Sequence, residues 1–322
     1  MRPLKNGGNT LKTIAFLFPG QGSQVVGMGQ DLFHEYDFVK EIFDAADDIS
    51  GLPISQTCFN GPMATLTETV NLQPAITAVN LACLAAVQRA GVRCAFSAGH
   101  SLGEFSALNA AGVVSLTDTL RLVFKRGELM HRESLKHRGA MSAIIGLDSE
   151  VVAGMVHNSR SAGEVSVANH NSERQIVITG APQAVASVAE AARQQGARAI
   201  ALKVSGAWHS ELIHGAQDEF TVFLDSVPFG RPLSPVIHNV TADRCDDPEA
   251  IKRLLALQLC SPVRWYETIQ KLVSEKVDVF VELGPGTVLA GLLKKIIVAE
   301  DHPAAYSIGD LKTLESVVSK LV

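Results

Sequence analysis

The sequence of 322 residues contains few cysteines, few aromatic residues (6%) and no excess of positive charge. Its five cysteines are odd in number, include no Cys-x-x-Cys pair and show no zinc-ligand spacing, so neither a disulfide framework nor a metal site is expected. The net charge is −5, whereas nucleic-acid-binding proteins are usually basic. These absences predict free thiols in a reducing compartment, no metal and no nucleic-acid partner.

Long apolar runs are also lacking. The longest, residues 75–87, is interrupted by Thr77, Asn80 and Cys83 and is too short to cross a bilayer. The first ten residues are polar and lack the apolar stretch of a signal peptide. The sequence therefore predicts a soluble cytoplasmic protein without membrane contact, with a loose tail over residues 1–10.

What is present is an ordinary globular composition, 47% hydrophobic and 19% charged, with enough length for about two domains. Short β-rich runs alternate with helical periodicity along most of the chain, which favours an α/β fold with a mainly parallel sheet. Strands are predicted over 13–18, 93–98 and 277–283, and helices over 37–50, 72–90, 115–134 and 287–298.

The middle of the chain has a different order of elements. Strands are predicted over 141–146, 165–169, 176–179 and 199–204, and helices over 149–158 and 182–195. Their order, β-α-β-β-α-β, is that of a ferredoxin-like unit. We therefore expect an inserted subdomain at 135–206 within an α/β core formed by 1–134 and 207–322.

The spacing Gly99-x-Ser101-x-Gly103 lies between a predicted strand and a predicted helix, which is the context of a nucleophile elbow. The sharp turn brings neighbouring backbone close together, so glycines are needed beside the serine. The turn also lifts the serine hydroxyl out of the sheet and places the amide of Leu102 at a helix N-terminus, where an oxyanion is stabilised. The alternative is a tight turn with an incidental serine.

A nucleophilic serine needs a base, and ten histidines are available. His209 follows the last strand of the middle unit, in a loop that returns to the main sheet, and this position favours it. His100 lies inside the elbow and cannot easily turn its ring toward the neighbouring hydroxyl. On position alone, His170, His214 and His238 remain alternatives.

Two further features point to a ligand. The segment Phe-Pro-Gly-Gln-Gly-Ser-Gln at 18–24 follows the first strand, and its glycines allow the backbone to approach a ligand closely; a phosphate-binding loop and a plain turn are the alternatives. Arg126 lies at the edge of the apolar face of a predicted helix, half turned toward the core, so it needs an anion. That anion is either a structural carboxylate or the carboxylate of a ligand.

Five segments, in order along the chain, resemble the malonyl-CoA:acyl carrier protein transacylases, which load malonyl units for fatty acid and polyketide synthesis. They are Phe-Pro-Gly-Gln-Gly-Ser-Gln at 18–24, Gly-His-Ser-Leu-Gly-Glu at 99–104, Gly-Ala-Trp-His-Ser at 206–210, Gln-Leu-Cys-Ser-Pro-Val-Arg-Trp at 258–265 and Glu-Leu-Gly-Pro-Gly at 282–286. The likeness covers nearly the whole chain after Thr10. It implies a hydrolase-like α/β core with an inserted ferredoxin-like subdomain.

The resemblance also implies catalytic roles. Ser101 would be the nucleophile, and His209 the general base and later acid, oriented by the main-chain carbonyl of Gln258 rather than by a carboxylate. The backbone amides of Gln21 and Leu102 would form the oxyanion hole. The activity implied is that of an acyl-carrier-protein S-malonyltransferase, with a malonyl-serine intermediate and a ping-pong order.

Substrate binding is implied at further positions. Arg126 would hold the free carboxylate of malonate, while Asn169 and Gln73 match residues that line the site in the family. Trp208 stands where many members have phenylalanine. A bulky ring there favours malonyl over larger acyl groups and narrows the pocket.

The implied partners are malonyl-CoA and the phosphopantetheine-carrying acyl carrier protein, both as substrates, with no bound cofactor; we expect a monomer. Because the carrier protein is acidic, the resemblance also implies a basic patch near the mouth of the site. Candidates are Lys294 and Lys295, and the region of Lys125, Arg126 and Arg132. A solvated charged face is the alternative for the two adjacent lysines.

Three other functions remain open on the sequence. A serine hydrolase such as a thioesterase would share Ser101, but it usually needs an acidic triad partner and has no use for Arg126. A discrete acyltransferase of a polyketide synthase would use the same chemistry with another carrier. A non-catalytic carrier-binding subunit would not need Ser101, His209 and Arg126.

Overall fold

The computed structural model describes residues 12–298 and 303–322, so the predicted tail over 1–10 lies outside the described residues. In chain order the strands are β1 Ile14–Phe18, β2 Phe96–Gly99, β3 Ala140–Ile145, β4 Val165–Ser172, β5 Gln175–Gly180, β6 Arg198–Ala201, β7 Val236–Ile237, β8 Val279–Leu283 and β9 Ala304–Ile308.

The α-helices occupy most of the remaining described chain. They are α1 Gln30–Glu35, α2 Asp37–Ser50, α3 Ile54–Asn60, α4 Met63–Thr67, α5 Thr69–Arg89, α6 Gly103–Ala110, α7 Leu116–Lys136, α8 Ser149–Ser159, α9 Pro182–Gln194, α10 His214–Asp225, α11 Pro248–Gln258, α12 Trp265–Ser274, α13 Val288–Ile296 and α14 Leu311–Leu321.

The main sheet has five strands in the order β7-β2-β1-β8-β9, and every neighbouring pair is parallel. All five residues of β1 are buried. Phe16 and Phe18 belong to the large apolar cluster that contains residues of α5, α6 and α7, while Leu17 packs with Trp265 of α12 and Leu289 of α13. A central strand covered on both faces needs apolar side chains at every position, which explains the unbroken apolar run.

The second sheet is antiparallel, with the order β4-β5-β3-β6, and α8 and α9 pack against one of its faces. The predicted β-α-β-β-α-β order and the α/β class with a parallel main sheet are confirmed. The sheet runs from Ala140 to Ala201, and we keep 135–206 as the proposed bounds of an inserted subdomain.

Element boundaries differ from the predictions by a few residues. Strand β2 begins at Phe96 rather than at 93, and β6 ends at Ala201 rather than at 204. Just after β6 the Leu202 amide still donates to the Met141 carbonyl, and Leu202 and Val204 line a cavity next to the elbow. Helix α7 is capped at Ser115, whose hydroxyl accepts from the amide of Asp118.

Helix α5 is long and apolar enough to cross a membrane by length and composition, but 89% of its most apolar 18-residue stretch is buried inside the fold. It lies under the main sheet, where its residues form much of the large apolar cluster. A helix that is apolar on all sides is typical of a core helix in a large domain.

Candidate active site

The elbow follows the carboxyl end of β2, an inner strand of the main sheet. Ser101 has a φ of 51°, a left-handed conformation that is costly for a residue with a side chain. A Cβ on Gly99 would lie 1.9 Å from the carbonyl carbon of Gly103, and a Cβ on Gly103 would lie 1.9 Å from the carbonyl oxygen of Phe18. Both glycines are therefore required by close backbone contacts, as the sequence predicted.

The Asn239 side chain stabilises this turn with two hydrogen bonds. Its Oδ1 accepts from the Ser101 amide at 2.7 Å, and its Nδ2 donates to the Gly99 carbonyl at 2.7 Å. The two bonds hold the strained residue in place. Sequence reasoning missed Asn239, which lies 138 residues from Ser101 along the chain.

His209 is the histidine that contacts the serine. Its Nε2 lies 2.8 Å from Ser101 Oγ, and its Nδ1 lies 2.8 Å from the main-chain oxygen of Gln258. The alternatives have other partners: His170 pairs with a glutamate on α12, His238 with a glutamate on α6, and His214 lies half exposed at the start of α10. The serine, the histidine and the main-chain carbonyl thus form a continuous chain of hydrogen bonds.

The surroundings of His209 keep its imidazole neutral. Burial, with the nearby Arg126 cation as the second cause, lowers the pKa of His209 to about 3. A neutral ring that donates from Nδ1 to a carbonyl presents a lone pair at Nε2. That tautomer is the one able to take the Ser101 proton.

Arg126 comes from α7 and is fully buried, 1% exposed, so the predicted half-turned position at the edge of the helix stripe is wrong. Its Nη1 donates to Gln73 Oε1 at 3.0 Å, and its Nη2 donates to Gln258 Oε1 at 3.0 Å and to Ser101 Oγ at 3.2 Å. Burial is possible because these three oxygens surround the guanidinium.

The guanidinium nevertheless stays charged at neutral pH. Burial lowers the pKa of Arg126 to about 10, and the Glu104 carboxylate opposes that shift. Two of the oxygens around it are neutral amide oxygens, which are weaker partners than a carboxylate. A buried cation beside a nucleophilic hydroxyl is a binding position for an anionic acyl group.

The reacting atoms face a small cavity of about 90 Å³. The catalytic candidates Ser101 and His209 and the cation Arg126 line it. Other lining residues are Gln21, Leu102, Asn169 and Trp208. Pockets for drug-sized ligands are typically about 300–1,000 Å³, so this cavity fits only a short acyl group. Gln73 and Gln258 are not among the residues that line this cavity, and the side-chain oxygen of each accepts from Arg126.

The cavity continues into a groove of about 390 Å³ between the main sheet and the antiparallel sheet. Gln21, His100, Asn169 and Leu202 line both spaces. At the far side of the groove, Lys295 donates to Gln175 Oε1 at 2.9 Å. Of the residues considered for a basic surface patch, Arg126 is buried and is therefore excluded, whereas Lys295 lines this groove.

Glu104 is a further residue that the sequence analysis did not select. It directly follows the elbow on α6 and is 1% exposed. Its carboxylate contacts His238, Asn239 and Gln258. A charged residue in an otherwise apolar helix next to the nucleophile was the signal that could have identified it.

Comparison with known proteins places the chain in a family. Residues 15–317 match the model of the acyl transferase domain. The match covers both sheets and every residue of the site described above. A malonyl CoA-acyl carrier protein transacylase of Bacillus subtilis (strain 168) is 41% identical over 313 residues, covering 97% of this chain and 98% of the relative.

Two other relatives come from polyketide synthesis. The polyketide biosynthesis protein ThaF of Burkholderia thailandensis is 44% identical over 285 residues, which cover 88% of this chain and 24% of that protein. A solved complex of a malonyl-transacylase with its type II polyketide synthase acyl-carrier protein superimposes with a TM-score of 0.91 at 37% identity, covering 96% of this chain and 99% of that one.

Proposed function

The chain belongs to the acyl transferase family, among the malonyl-CoA:acyl carrier protein transacylases, and we propose that it moves the malonyl group of malonyl-CoA to the phosphopantetheine thiol of acyl carrier protein for fatty acid synthesis. The observation that carries this proposal is the buried Arg126 guanidinium, 3.2 Å from the hydroxyl of Ser101. A hydrolase of uncharged acyl groups has no use for a buried cation at that position.

In the first half-reaction Ser101 Oγ attacks the thioester carbonyl of malonyl-CoA while His209 Nε2 takes the hydroxyl proton. The carbonyl oxygen becomes an oxyanion that the amides of Gln21 and Leu102 stabilise, each such donor being worth about 10²–10³ in rate. The tetrahedral intermediate then expels the CoA thiolate, which takes the proton from His209. A malonyl-serine ester remains.

The second half-reaction reverses these steps with a different thiol. The phosphopantetheine thiol of the carrier protein gives its proton to His209 and attacks the ester carbonyl. The intermediate collapses, Ser101 leaves and regains the proton, and the malonyl group stays on the carrier sulfur. General acid–base help of this kind typically contributes roughly 10²–10⁴ in rate.

Selectivity for a dicarboxylic acyl group rests on Arg126. When malonyl-CoA enters, its free carboxylate offers the guanidinium a charged partner in place of a neutral one. Acetyl-CoA offers none, so the buried cation gains nothing from binding it. The cavity of about 90 Å³ and the Trp208 ring also disfavour larger acyl groups.

The groove between the two sheets is suited to the pantetheine arm that both substrates share. It leads directly to Ser101 and is mostly apolar, with Asn169 and Asn171 in its wall. Lys295 at its side is available to a phosphate of CoA or of the carrier's prosthetic group. Every step is a proton transfer or an acyl transfer between oxygen and sulfur, so the substrates supply all atoms and we propose no bound cofactor.

A second candidate differs only in the carrier. The likeness to ThaF and to the polyketide synthase complex favours testing whether the chain serves a polyketide synthase in trans. Transfer rates to a fatty acid carrier protein and to a polyketide carrier protein decide between the two. A cytoplasmic, monomeric enzyme remains the prediction made from the sequence.

Intact-mass analysis tests the proposed function. The enzyme is mixed in turn with malonyl-CoA, methylmalonyl-CoA and acetyl-CoA, and we expect one malonyl group to add efficiently and the other two poorly. Carrier protein should then remove the group and appear as malonyl-carrier. If the ester is lost equally fast without carrier, the chain is a hydrolase and the proposal is wrong.

A further inference from the structure

We propose that Glu104 is the positioning residue of this active site: its buried carboxylate fixes the Gln258 amide, and through Gln258 it holds both the base and the arginine. The inference rests on the proposed function, since it concerns the same reaction. Among the described residues, no carboxylate contacts the serine–histidine pair directly, and the partner of His209 Nδ1 is a main-chain carbonyl. The Glu104 carboxyl group instead acts through Gln258, the residue whose main-chain carbonyl contacts His209.

Both oxygens of the Glu104 carboxyl group have hydrogen-bond partners. Oε2 accepts from Gln258 Nε2 at 2.6 Å and from the Asn239 amide at 3.3 Å, and Oε1 lies 2.8 Å from His238 Nδ1. Each oxygen therefore has a polar partner, so the fully buried carboxyl group is satisfied on both sides. At 2.6 Å, Gln258 Nε2 is the nearest of these partners.

These contacts leave the Gln258 side chain one orientation. Its Nε2 donates to the Glu104 carboxylate and to the Ser101 carbonyl at 3.1 Å, and its Oε1 accepts from Arg126 at 3.0 Å. A flipped amide would place oxygen against oxygen on one side and two N–H donors against a cation on the other. Gln258 therefore connects the elbow, the arginine and the carboxylate, while its main chain orients His209.

Glu104 reaches the nucleophile by a second path. The main-chain N–H of Asn239 donates to Glu104 Oε2. The side chain of the same Asn239 bonds to the Ser101 amide and to the Gly99 carbonyl. One carboxylate thus supports the elbow through Asn239 and the base and arginine through Gln258. Because small misplacements of reacting groups reduce rates strongly, loss of this support should appear in turnover.

Three substitutions separate the geometry of the carboxylate from its charge. Glu104→Ala removes every acceptor and should lower kcat for malonyl transfer about 10–100-fold. Glu104→Gln keeps an acceptor at the same reach for Gln258 Nε2 and should stay within a few-fold of the unmodified enzyme. Glu104→Asp keeps the charge but is one methylene shorter, so it should resemble the alanine variant.

A double-mutant cycle tests whether Glu104 acts through Gln258. Gln258→Ala removes the bridging side chain but keeps the main-chain carbonyl. If the path is correct, adding Glu104→Ala to Gln258→Ala should lower kcat only a few-fold further, instead of multiplying the two losses. The matched control is Glu282→Gln: Glu282 is also fully buried, but it accepts from Leu289, Ala290 and Ser307, so kcat should not change.

The measurements are kcat and KM per folded enzyme, with the thermal unfolding midpoint of each variant. An alanine variant that turns over like the unmodified enzyme, an aspartate variant more active than the glutamine variant, or multiplicative losses in the cycle would each overturn the proposal. If Glu104→Ala fails to fold, the order of the glutamine and aspartate variants still decides. If the unmodified enzyme forms no malonyl-serine, the proposed function fails instead.

Discussion

The parallel core and the antiparallel sheet contribute differently to the active site. Core segments supply Ser101, Arg126 and Gln258, which are joined to one another by hydrogen bonds, and the side chains of Arg126 and Gln258 are buried. The antiparallel sheet supplies Asn169 and apolar wall residues, and no member of that bonded group. The difference indicates that reactivity depends on a buried polar network in the core, whereas the second sheet shapes the space for the substrate.

The largest expected effect is at the centre of the core. Ser101→Ala removes the nucleophile and should abolish malonyl-enzyme formation, with transfer at least about 10³-fold slower. Intact mass after mixing with malonyl-CoA measures this directly. A malonyl group on the alanine variant would contradict the assignment of the nucleophile.

The next largest effect is expected at the buried Arg126 cation. Arg126→Ala should lower kcat/KM for malonyl transfer about 100-fold or more, since it removes one partner of a desolvated charge pair. Acetyl transfer, which offers no carboxylate, should fall much less. Acetyl transfer by the same variant is the control for malonyl transfer. Equal losses of kcat/KM for the two acyl groups would argue against a carboxylate site at Arg126.

The antiparallel sheet should show a smaller effect of a different kind. Asn169→Ala removes one polar group from the wall shared by the cavity and the groove, and should raise KM about 2–10-fold with little change in kcat. Steady-state kinetics with malonyl-CoA check this. A large fall in kcat at this position would break the distinction between the two regions.

The smallest effect concerns the pH dependence of stability. A histidine in the unfolded chain gains a proton as pH falls below about 6.5, whereas the folded-state pKa of His209 is about 3. Between these values only the unfolded state takes up this proton, so acidification costs stability through that window and the cost stops growing below about pH 3. The free energy of unfolding of the His209→Asn variant should therefore fall less between pH 7 and pH 4 than that of the unmodified enzyme.

Thermal unfolding midpoints across that pH range measure the effect. The matched control is His157→Asn, which replaces an exposed histidine on α8 in the antiparallel region. A steeper slope for the His209 variant would contradict the assigned pKa.

The elements were predicted well where the signal is local. Helix α2, 37–50, was predicted with the bounds found, and the glycine-flanked elbow lies as expected. The position of α7 was also predicted, but the depth of Arg126 was not. Periodicity along one helix shows which face is apolar, but not how many polar side chains from other helices meet that face.

The identity of the general base was also beyond what local sequence could predict. Position in the chain left four histidines open, and the resemblance to a family selected His209. The structure selects it independently, since His209 Nε2 lies 2.8 Å from a hydroxyl 108 residues away in the chain. Asn239 carried no sequence pattern that singled it out, and Glu104 was marked only by its charge beside the nucleophile.

By itself the sequence determined the alternation of strands and helices, the turn that carries Ser101 and the order of the middle unit, because neighbouring residues set backbone conformation and apolar periodicity. Only the tertiary structure decided which amide, imidazole and guanidinium surround the serine. Those contacts join residues up to 157 positions apart, and they form because packing of the helices against the two faces of the sheet brings these side chains into one buried space.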